Sequence, residues 1–194
     1  MGKVLLHVSM SLDGFIAGPD VGVERPLGEG GERLHDWMFG GAGDPRDEVV
    51  ASEMFSTATT GAVVIGRRTF DVGIGEWGDD GAFGLPCFVV THRPAEPLVK
   101  GPTTFTFVTD GIEPALERAT AAARDKNVNV MGADLARQFL RAGLLDEILI
   151  NLVPVLLGGG VRLFEDLGAD PVDLERTSLI ATPGVTHVRF RLVR

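Results

Sequence analysis

The sequence predicts an α/β domain with a mixed, mainly parallel central sheet and an antiparallel C-terminal edge. Short, β-branched apolar runs alternate with helical patterns through the middle of the chain, and the links between them are short. This alternation is typical of parallel strands, because each helix crosses back over the sheet. The last segment alternates apolar and polar residues, as a half-solvated antiparallel strand does. No linker or repeat divides the chain, so we expect one domain over residues 1–194.

Seven segments have the composition of strands. They are Val4–Met10, Ala62–Ile65, Cys87–Val90, Phe105–Val108, Val128–Met131, Glu147–Val155 and Val185–Val193. The Gly- and Pro-rich stretches 18–31, 73–86 and 158–160 are predicted loops.

Helices are predicted where apolar residues recur at helical spacing or where a start signal occurs. The segments are Glu32–Phe39, a helix that starts at Asp44-Pro45, the turn Arg67–Phe70, Glu113–Arg124 and Asp134–Ala142. Asp44 can serve as N-cap, and Pro45 suits the first helical position. We expect Leu34, Trp37 and Met38 of the first helix, and Val49, Val50, Met54 and Phe55 of the second, to face inward. The glycines at 40, 41 and 43 should end the first helix.

Composition excludes several classes of function. The chain has 18 Lys and Arg against 27 Asp and Glu, a formal charge of −9 at pH 7. Binding to nucleic acid or anionic membranes needs a basic surface, so we expect neither partner. The single Cys87 excludes an intrachain disulfide and multi-cysteine metal sites. Without a signal peptide or a membrane-length apolar run, we expect a cytoplasmic protein.

Three predicted strands end in residues suited to phosphate groups. Gly66-Arg67-Arg68-Thr69, Thr91-His92-Arg93 and Gly132-Ala133-Asp134 each follow a strand directly. Carboxyl ends of parallel strands meet at one sheet edge, where α/β proteins bind ligands. A glycine before a helix lets backbone N–H groups and the helix dipole approach a phosphate. Together the three corners suit a dinucleotide, although each alone also fits an ordinary turn with solvated arginines.

Several segments match a known pattern in chain order. They are Ser9-Met10-Ser11-Leu12-Asp13-Gly14-Phe15-Ile16-Ala17-Gly18, Gly66-Arg67-Arg68-Thr69-Phe70, Thr91-His92-Arg93 and Met131-Gly132-Ala133-Asp134-Leu135. In this order they resemble the dihydrofolate-reductase-like superfamily. The segments 143–147 and 154–160, with Leu163-Phe164, are similar to one branch of it. That branch is the reductase domain of the bifunctional riboflavin-biosynthesis deaminase-reductase and its stand-alone relatives.

The resemblance implies a dihydrofolate-reductase-like three-layer fold and an NADPH-dependent reductase. The implied substrate is a pyrimidine- or pteridine-like heterocycle or its ribosyl adduct, as in the branch's 5-amino-6-(5-phosphoribosylamino)uracil reductase. Residue by residue, it places Ile16 and Ala17 at the nicotinamide, Gly66, Arg67, Arg68 and Thr69 at the adenosine phosphates, Thr91, His92 and Arg93 around the 2′-phosphate, and Gly132, Ala133, Asp134 and Leu135 at the pyrophosphate. Charge-assisted bonds from arginine to the 2′-phosphate favour NADPH over NADH.

Two carboxylates are candidate catalytic residues. Asp13 follows the first strand, and its alternative role is that of a turn residue. Asp36 lies on the segment that, by resemblance to dihydrofolate reductases, carries the pterin-binding carboxylate; its alternative role, like that of Glu32, is on a solvated face. His35 is a candidate proton donor or a packing residue. The tryptophans, Trp37 and Trp77, suit either stacking on a ring or anchoring the core.

Two other functions remain open from the residues. One is a true dihydrofolate reductase, and the other is a non-catalytic nucleotide- or flavin-binding module, because the cofactor corners match better than any acid or base. We also expect a homodimer. The segments Ile148–Val153 and Pro154–Leu157 are more apolar than a half-solvated strand needs, and a large apolar patch marks an interface.

Overall fold

The computed structural model describes residues 2–40, 44–54, 56–168 and 170–193. Its strands are β1 (Val4–Ser11), β2 (Phe15–Ala17), β3 (Thr60–Gly66), β4 (Pro86–Val90), β5 (Leu98–Lys100), β6 (Thr103–Val108), β7 (Asn127–Met131), β8 (Glu147–Val153), β9 (Val161–Arg162), β10 (Leu174–Ala181) and β11 (Thr186–Leu192). Its helices are α1 (Asp36–Phe39), α2 (Pro45–Met54), α3 (Arg67–Gly73), α4 (Ile112–Ala123) and α5 (Ala133–Arg141), and a 3-10 helix, Gly31–His35, precedes α1.

Nine strands form one sheet in the order β10-β11-β8-β1-β7-β3-β4-β6-β5, and β2 pairs with β9 separately. The six strands from β8 to β6 are parallel to one another. At the C-terminal edge β11 and β10 run antiparallel, and β5 adds an antiparallel strand at the other edge. The mixed, mainly parallel sheet with an antiparallel C-terminal edge is therefore confirmed.

Helices cover both faces of the sheet, which gives three layers. On one face α4 and α5 bury Ala119 and Phe139 against strand residues such as Val64 and Val130. The three alanines of α4 that face the sheet are fully or almost fully buried, so this helix lies close to β3. On the other face α1 and α2 cover β8, and α3 covers an aromatic cluster around Phe105.

The structure differs from the predicted elements at several places. The helix predicted over Glu32–Phe39 is a 3-10 turn followed by a single α turn. Val50 faces inward as predicted, but Val49 is 57% exposed, so its predicted burial was wrong. The strands β5, β9 and β10 were not predicted, because β5 and β9 are very short and β10 is almost entirely exposed and so lacks apolar alternation. Phe55 and the glycines at 41 and 43 lie outside the described residues.

The apolar character of β8 has its cause within the chain. This strand lies between β1 and β11, and Ile148, Leu149, Ile150 and Val153 are buried by the chain's own helices and strands. The chain's own packing thus explains the apolar character of this strand. The second apolar segment, Pro154–Leu157, is not buried in the same way, since Leu156 is 68% exposed. The homodimer stays a prediction.

Cys87 is fully buried in β4, and its burial raises the pKa of the thiol, which therefore stays protonated and unreactive. Over the ranges that the structure describes, no cluster of three or more His, Cys, Asp or Glu residues could hold a metal ion. Within the same ranges, no helix has the length and apolar character needed to cross a membrane.

Candidate functional site

A cleft of about 620 Å³ opens at the carboxyl ends of the parallel strands. Its lining comes from β1, β2, the β3–α3 junction, the residues after β4 and the β7–α5 junction. All thirteen residues that the resemblance assigns to a cofactor line this one cleft: Ile16, Ala17, Gly66, Arg67, Arg68, Thr69, Thr91, His92, Arg93, Gly132, Ala133, Asp134 and Leu135. The parallel sheet brings these residues together, and their role in cofactor binding stays a prediction.

The junction between β7 and α5 has the features of a phosphate site. Gly132 has φ +97°, and a Cβ there would lie 2.5 Å from Thr69 Oγ1. No side chain caps the N-terminus of α5, so its first N–H groups are free to meet an anion. The Asp134 carboxylate is exposed and accepts a hydrogen bond from Gln138 Nε2 at 2.9 Å, on the helix surface.

Arginines and a threonine form the corner predicted for the 2′-phosphate. The Arg93 side chain is 69% exposed, and its guanidinium lies 3.1 Å from an Asp71 oxygen. The other Asp71 oxygen is 2.7 Å from Arg67 Nε. The backbone N–H of Arg93 donates to Thr91 Oγ1 at 3.0 Å, which fixes the turn after β4. Asp71 thus holds two cleft arginines side by side.

Asp13 does not line the cleft; it fastens a loop. Its carboxylate accepts hydrogen bonds from Ser11 Oγ at 2.6 Å, from Leu157 N at 3.1 Å and from Gly158 N at 2.7 Å. These bonds, the Ser11 bond foremost, hold the pKa of Asp13 below its usual range. Through these hydrogen bonds the Asp13 carboxylate connects β1 to the loop after β8, which is a structural role. Its catalytic role stays a prediction.

Asp36 is also absent from the cleft lining. It is an exposed residue at the start of α1. Its position outside the cleft lining does not support the predicted catalytic role, which stays a prediction. Among the carboxylates of α1 and α2, only Asp47 is buried. Among the described residues of the cleft lining, Asp134 is the only carboxylate.

The sequence analysis missed two polar residues of the cleft lining, His7 and Ser9 of β1. His35, a candidate proton donor from the sequence, also lines the cleft, and so does Met54. His35 Nδ1 is buried and has no hydrogen-bond partner in the described part of the chain. Trp37 does not face the cleft but donates from Nε1 to Ser9 Oγ at 3.1 Å. The alternation His7, Ser9, Ser11 within an otherwise apolar strand was the available signal for a polar face.

A buried polar chain runs from His7 into the protein. Asn151 Nδ2 lies 3.2 Å from His7 Nε2, and Asn151 Oδ1 lies 2.7 Å from His187 Nδ1. His187 Nε2 lies 3.0 Å from Asp47 Oδ1, and Thr182 Oγ1 lies 3.2 Å from Asp47 Oδ2. Asn151, His187 and Asp47 are all buried. Buried polar groups are costly unless paired, so these partners depend on one another.

His7 makes stability depend on pH. Burial lowers its pKa from 6.5 to about 4, and the nearby Arg189 and His187 add to this shift. Between pH 6.5 and 4 the unfolded chain therefore binds a proton that the native protein does not. We expect stability to fall as pH drops through this window. Urea unfolding at pH 7.5 and 5 should show the loss, and a smaller loss in the variant His7→Gln. Equal pH dependence in both proteins would contradict the assignment.

The residues present fit a dinucleotide cofactor. The space beside Gly132 is one that a Cβ would fill, the N-terminus of α5 is uncapped, and arginines line the same wall. These are the donor types that phosphate groups need. The same cleft also has neutral and apolar lining residues, among them His7, Ile16 and Leu27, which suit a ring.

Comparisons with known proteins show which family model and which protein the chain is similar to. The model of the RibD C-terminal domain matches residues 2–188. The uncharacterized protein YwjB of Bacillus subtilis (strain 168) is 27% identical over 175 residues, which are 85% of this chain and 84% of YwjB.

Solved structures with low sequence identity share the fold. A structure assigned to riboflavin biosynthesis from Shewanella sp. PV-4 has a TM-score of 0.74 and 22% identity, with 99% of each chain covered. The riboflavin biosynthesis reductase Rib7 of Saccharomyces cerevisiae has a TM-score of 0.61 and 15% identity, with 100% of this chain and 89% of Rib7 covered. The dihydrofolate reductase of Enterococcus faecalis, solved with NADP(H), has a TM-score of 0.59 and 14% identity, with 100% of this chain and 98% of the reductase covered. The predicted dihydrofolate-reductase-like fold is confirmed.

Proposed function

Because the chain belongs to the RibD C-terminal domain family, we propose that it is an NADPH-dependent reductase. The family is the reductase domain of riboflavin biosynthesis, so the chain is of an oxidoreductase type. The proposed substrate is a pyrimidine- or pteridine-like heterocycle or its ribosyl adduct, and the proposed cofactor is NADPH.

One observation carries this proposal. The thirteen residues that the resemblance links to the cofactor come from four separate segments of the chain, yet all line one cleft. The dihydrofolate reductase of similar fold was solved with NADP(H), which supports the same cofactor class.

The chain's own residues have distinct tasks in this function. The N–H groups at the start of α5 and the space at Gly132 would bind the pyrophosphate. Arg67, Arg68 and Arg93 would bind the remaining phosphates through charge-assisted bonds. NADPH supplies a hydride when bound, and the protein supplies orientation and charge. Gly160 packs directly against Ala17 of the cleft, since a Cβ at Gly160 would lie 2.0 Å from the Ala17 carbonyl oxygen.

The direct test is binding followed by turnover. Calorimetry should detect NADPH binding, and NADPH absorbance should fall on addition of a reducible pyrimidine or pteridine. Binding without oxidation by any heterocycle would favour the non-catalytic module. A protein that binds neither NADPH nor NADH would contradict the proposal.

Replacing Arg93 with alanine is expected to weaken NADPH binding selectively. A hydrogen bond to a charged group is worth about 1.5–3 kcal/mol; we expect the lower end, about 1.5 kcal/mol, because Arg93 is exposed and must leave Asp71. NADH lacks the 2′-phosphate, so its affinity should hardly change. Calorimetry with both cofactors measures the difference. Arg124→Ala, an exposed arginine after α4, is the control. Equal losses for NADPH and NADH would show that Arg93 does not read the 2′-phosphate.

Dihydrofolate is expected to be a poor substrate. A dihydrofolate reductase needs a shielded carboxylate against the aminopyrimidine edge. The only carboxylate among the described cleft residues, Asp134, has a side chain that is 79% exposed and lies at the proposed phosphate end. We expect little or no NADPH oxidation with dihydrofolate. A kcat near the enzyme median of roughly 10 per second would instead favour a true dihydrofolate reductase.

A further inference from the structure

We propose that His7 contacts the heterocycle as an N–H donor from Nδ1, and that the buried chain Asn151–His187–Asp47 fixes this donor. The inference rests on the proposed function and deepens it by naming a substrate-contacting residue and the atom type that it recognises. In this scheme His7 touches the substrate, whereas Asn151, His187 and Asp47 are positioning residues.

His7 stands where three cavities meet. It lines the cleft, a cavity of about 200 Å³ towards the amino ends of the strands, and a slot of about 20 Å³ beside Met131. Its Nε2 is hydrogen-bonded to Nδ2 of Asn151, at 3.2 Å. For Nδ1 the described residues provide no hydrogen-bond partner. A side chain that lines a cavity and has a ring nitrogen without a protein partner can offer that nitrogen to a ligand.

The Asn151 amide determines which His7 nitrogen carries the proton. An amide offers a donor on one side and an acceptor on the other. Its oxygen faces His187 Nδ1 at 2.7 Å, so that nitrogen carries a hydrogen. Its nitrogen then donates to His7 Nε2, which must be unprotonated. Neutral His7 therefore carries its single proton on Nδ1, the nitrogen without a protein partner.

The orientation of the amide is linked to the number of protons on the His187–Asp47 pair. With Nδ1 of His187 protonated, one further proton lies between His187 Nε2 and Asp47 Oδ1, 3.0 Å apart. Rotating the amide by half a turn would need one proton fewer on this pair and would turn His7 Nδ1 into an acceptor. The edge-on contact of Trp37, with ring centroids 4.9 Å apart, fixes the His187 ring in place.

The charges near His7 are paired with one another. Glu53, Glu147 and Arg189 line the adjoining cavity, and Arg189 lies 2.7 Å from Glu53 and 3.6 Å from Glu147. Lys3 also pairs with Glu147. Burial keeps His7 neutral down to acidic pH because it lowers the pKa to about 4. A neutral N–H donor suits an uncharged acceptor, which is a carbonyl oxygen or an unprotonated ring nitrogen.

The tautomer of His7 can be read directly. The chain has only four histidines, so protein labelled with ¹⁵N in histidine gives four ring systems, assigned through His7→Gln. We expect the wild-type His7 proton on Nδ1. In Asn151→Asp a carboxylate accepts from both imidazoles, so the proton should move to Nε2. A wild-type proton on Nε2 overturns the proposal even if the variant does not fold, and so does an unchanged tautomer in a folded variant.

A matched pair of variants tests the substrate contact, with 5-aminouracil and pterin as probes and NADPH present. The amide of His7→Asn can overlap the Nδ1 position, whereas that of His7→Gln can overlap Nε2. We expect His7→Gln to weaken probe binding by at least about tenfold, the worth of one hydrogen bond, and His7→Asn to weaken it by less than about threefold. NADPH affinity should stay unchanged in both.

The outcomes separate this inference from the proposed function. Equal losses in the two variants, or probe binding that leaves the His7 ring resonances unchanged, overturn the substrate contact. Binding of NADPH with no binding of either probe overturns the acceptor class. A wild-type protein that binds no NADPH contradicts the proposed function, while the tautomer measurement still decides whether the buried chain fixes His7.

Discussion

Gly132→Val is expected to lower NADPH affinity by at least about a hundredfold. The φ of +97° is one that residues with a Cβ rarely adopt. The Cβ would lie 2.5 Å from Thr69 Oγ1, and the two valine methyls would fill the space in front of the α5 N-terminus. The phosphate would then lose its approach to several N–H groups at once. Calorimetry with NADPH measures the loss.

Two variants separate the loss of the phosphate approach from backbone strain. Gly143 follows the other end of α5, has φ +65°, and has open space at its Cβ position. Gly143→Ala should therefore lower the melting temperature and leave NADPH affinity intact. The double variant Thr69→Ala with Gly132→Ala relieves the closest contact but keeps the added methyl. Full NADPH affinity in Gly132→Val would place the pyrophosphate elsewhere.

Asp47→Ala is expected to lower the free energy of unfolding by about 3 kcal/mol. The loss of Asp47 leaves His187 Nε2 buried without a hydrogen-bond partner, and an unsatisfied buried polar group costs about 1–3 kcal/mol. We expect the upper end because Thr182 Oγ1 also loses its contact with Asp47. Both side chains are almost fully buried, at 3% and 6% exposure, so water cannot replace the lost contact. Urea unfolding at pH 7 gives the value.

Glu48 provides the control for this loss. It neighbours Asp47 on α2 but is exposed, so Glu48→Ala should change the unfolding free energy by less than about 0.5 kcal/mol. A similar small effect of Asp47→Ala would mean that the buried chain contributes little to stability. The same result would also weaken the assignment of Asp47 as a positioning residue for His7.

The convergence of Gly66, Thr91 and Gly132 on one cleft could be predicted from the sequence because its signal is local. Gly66 ends β3, Thr91 and Gly132 directly follow β4 and β7, and parallel strands bring their carboxyl ends to one edge. The period of apolar residues and a few glycines were enough to predict the strands and helices. The parallel topology then explains why segments far apart in the sequence converge on one cleft.

The contacts of His7 could not be predicted in this way. His7 and Asn151 lie 144 positions apart, and their contact depends on the pairing of β1 with β8 and on α2 covering that face. No spacing rule links such residues. The short helix carrying Asp36 illustrates the same limit: a carboxylate pattern was visible, but only the packing of α2 determines that Asp47, rather than Asp36, is the buried one.

The position of β1 also has a consequence for how the chain acquires its structure during synthesis. β1 occupies the middle of the sheet, yet its neighbours are β7, where Val4 pairs with Val128, and β8, where Leu5 pairs with Glu147. At roughly 5–20 residues per second, the ribosome needs on the order of ten seconds to make those partners. The chain loses the entropy of closing loops of this length before the strand pairing contributes any stability, and this order of events slows folding. Until β7 emerges, β1 has both edges unpaired, and nascent chains that end before it expose a strand prone to aggregation.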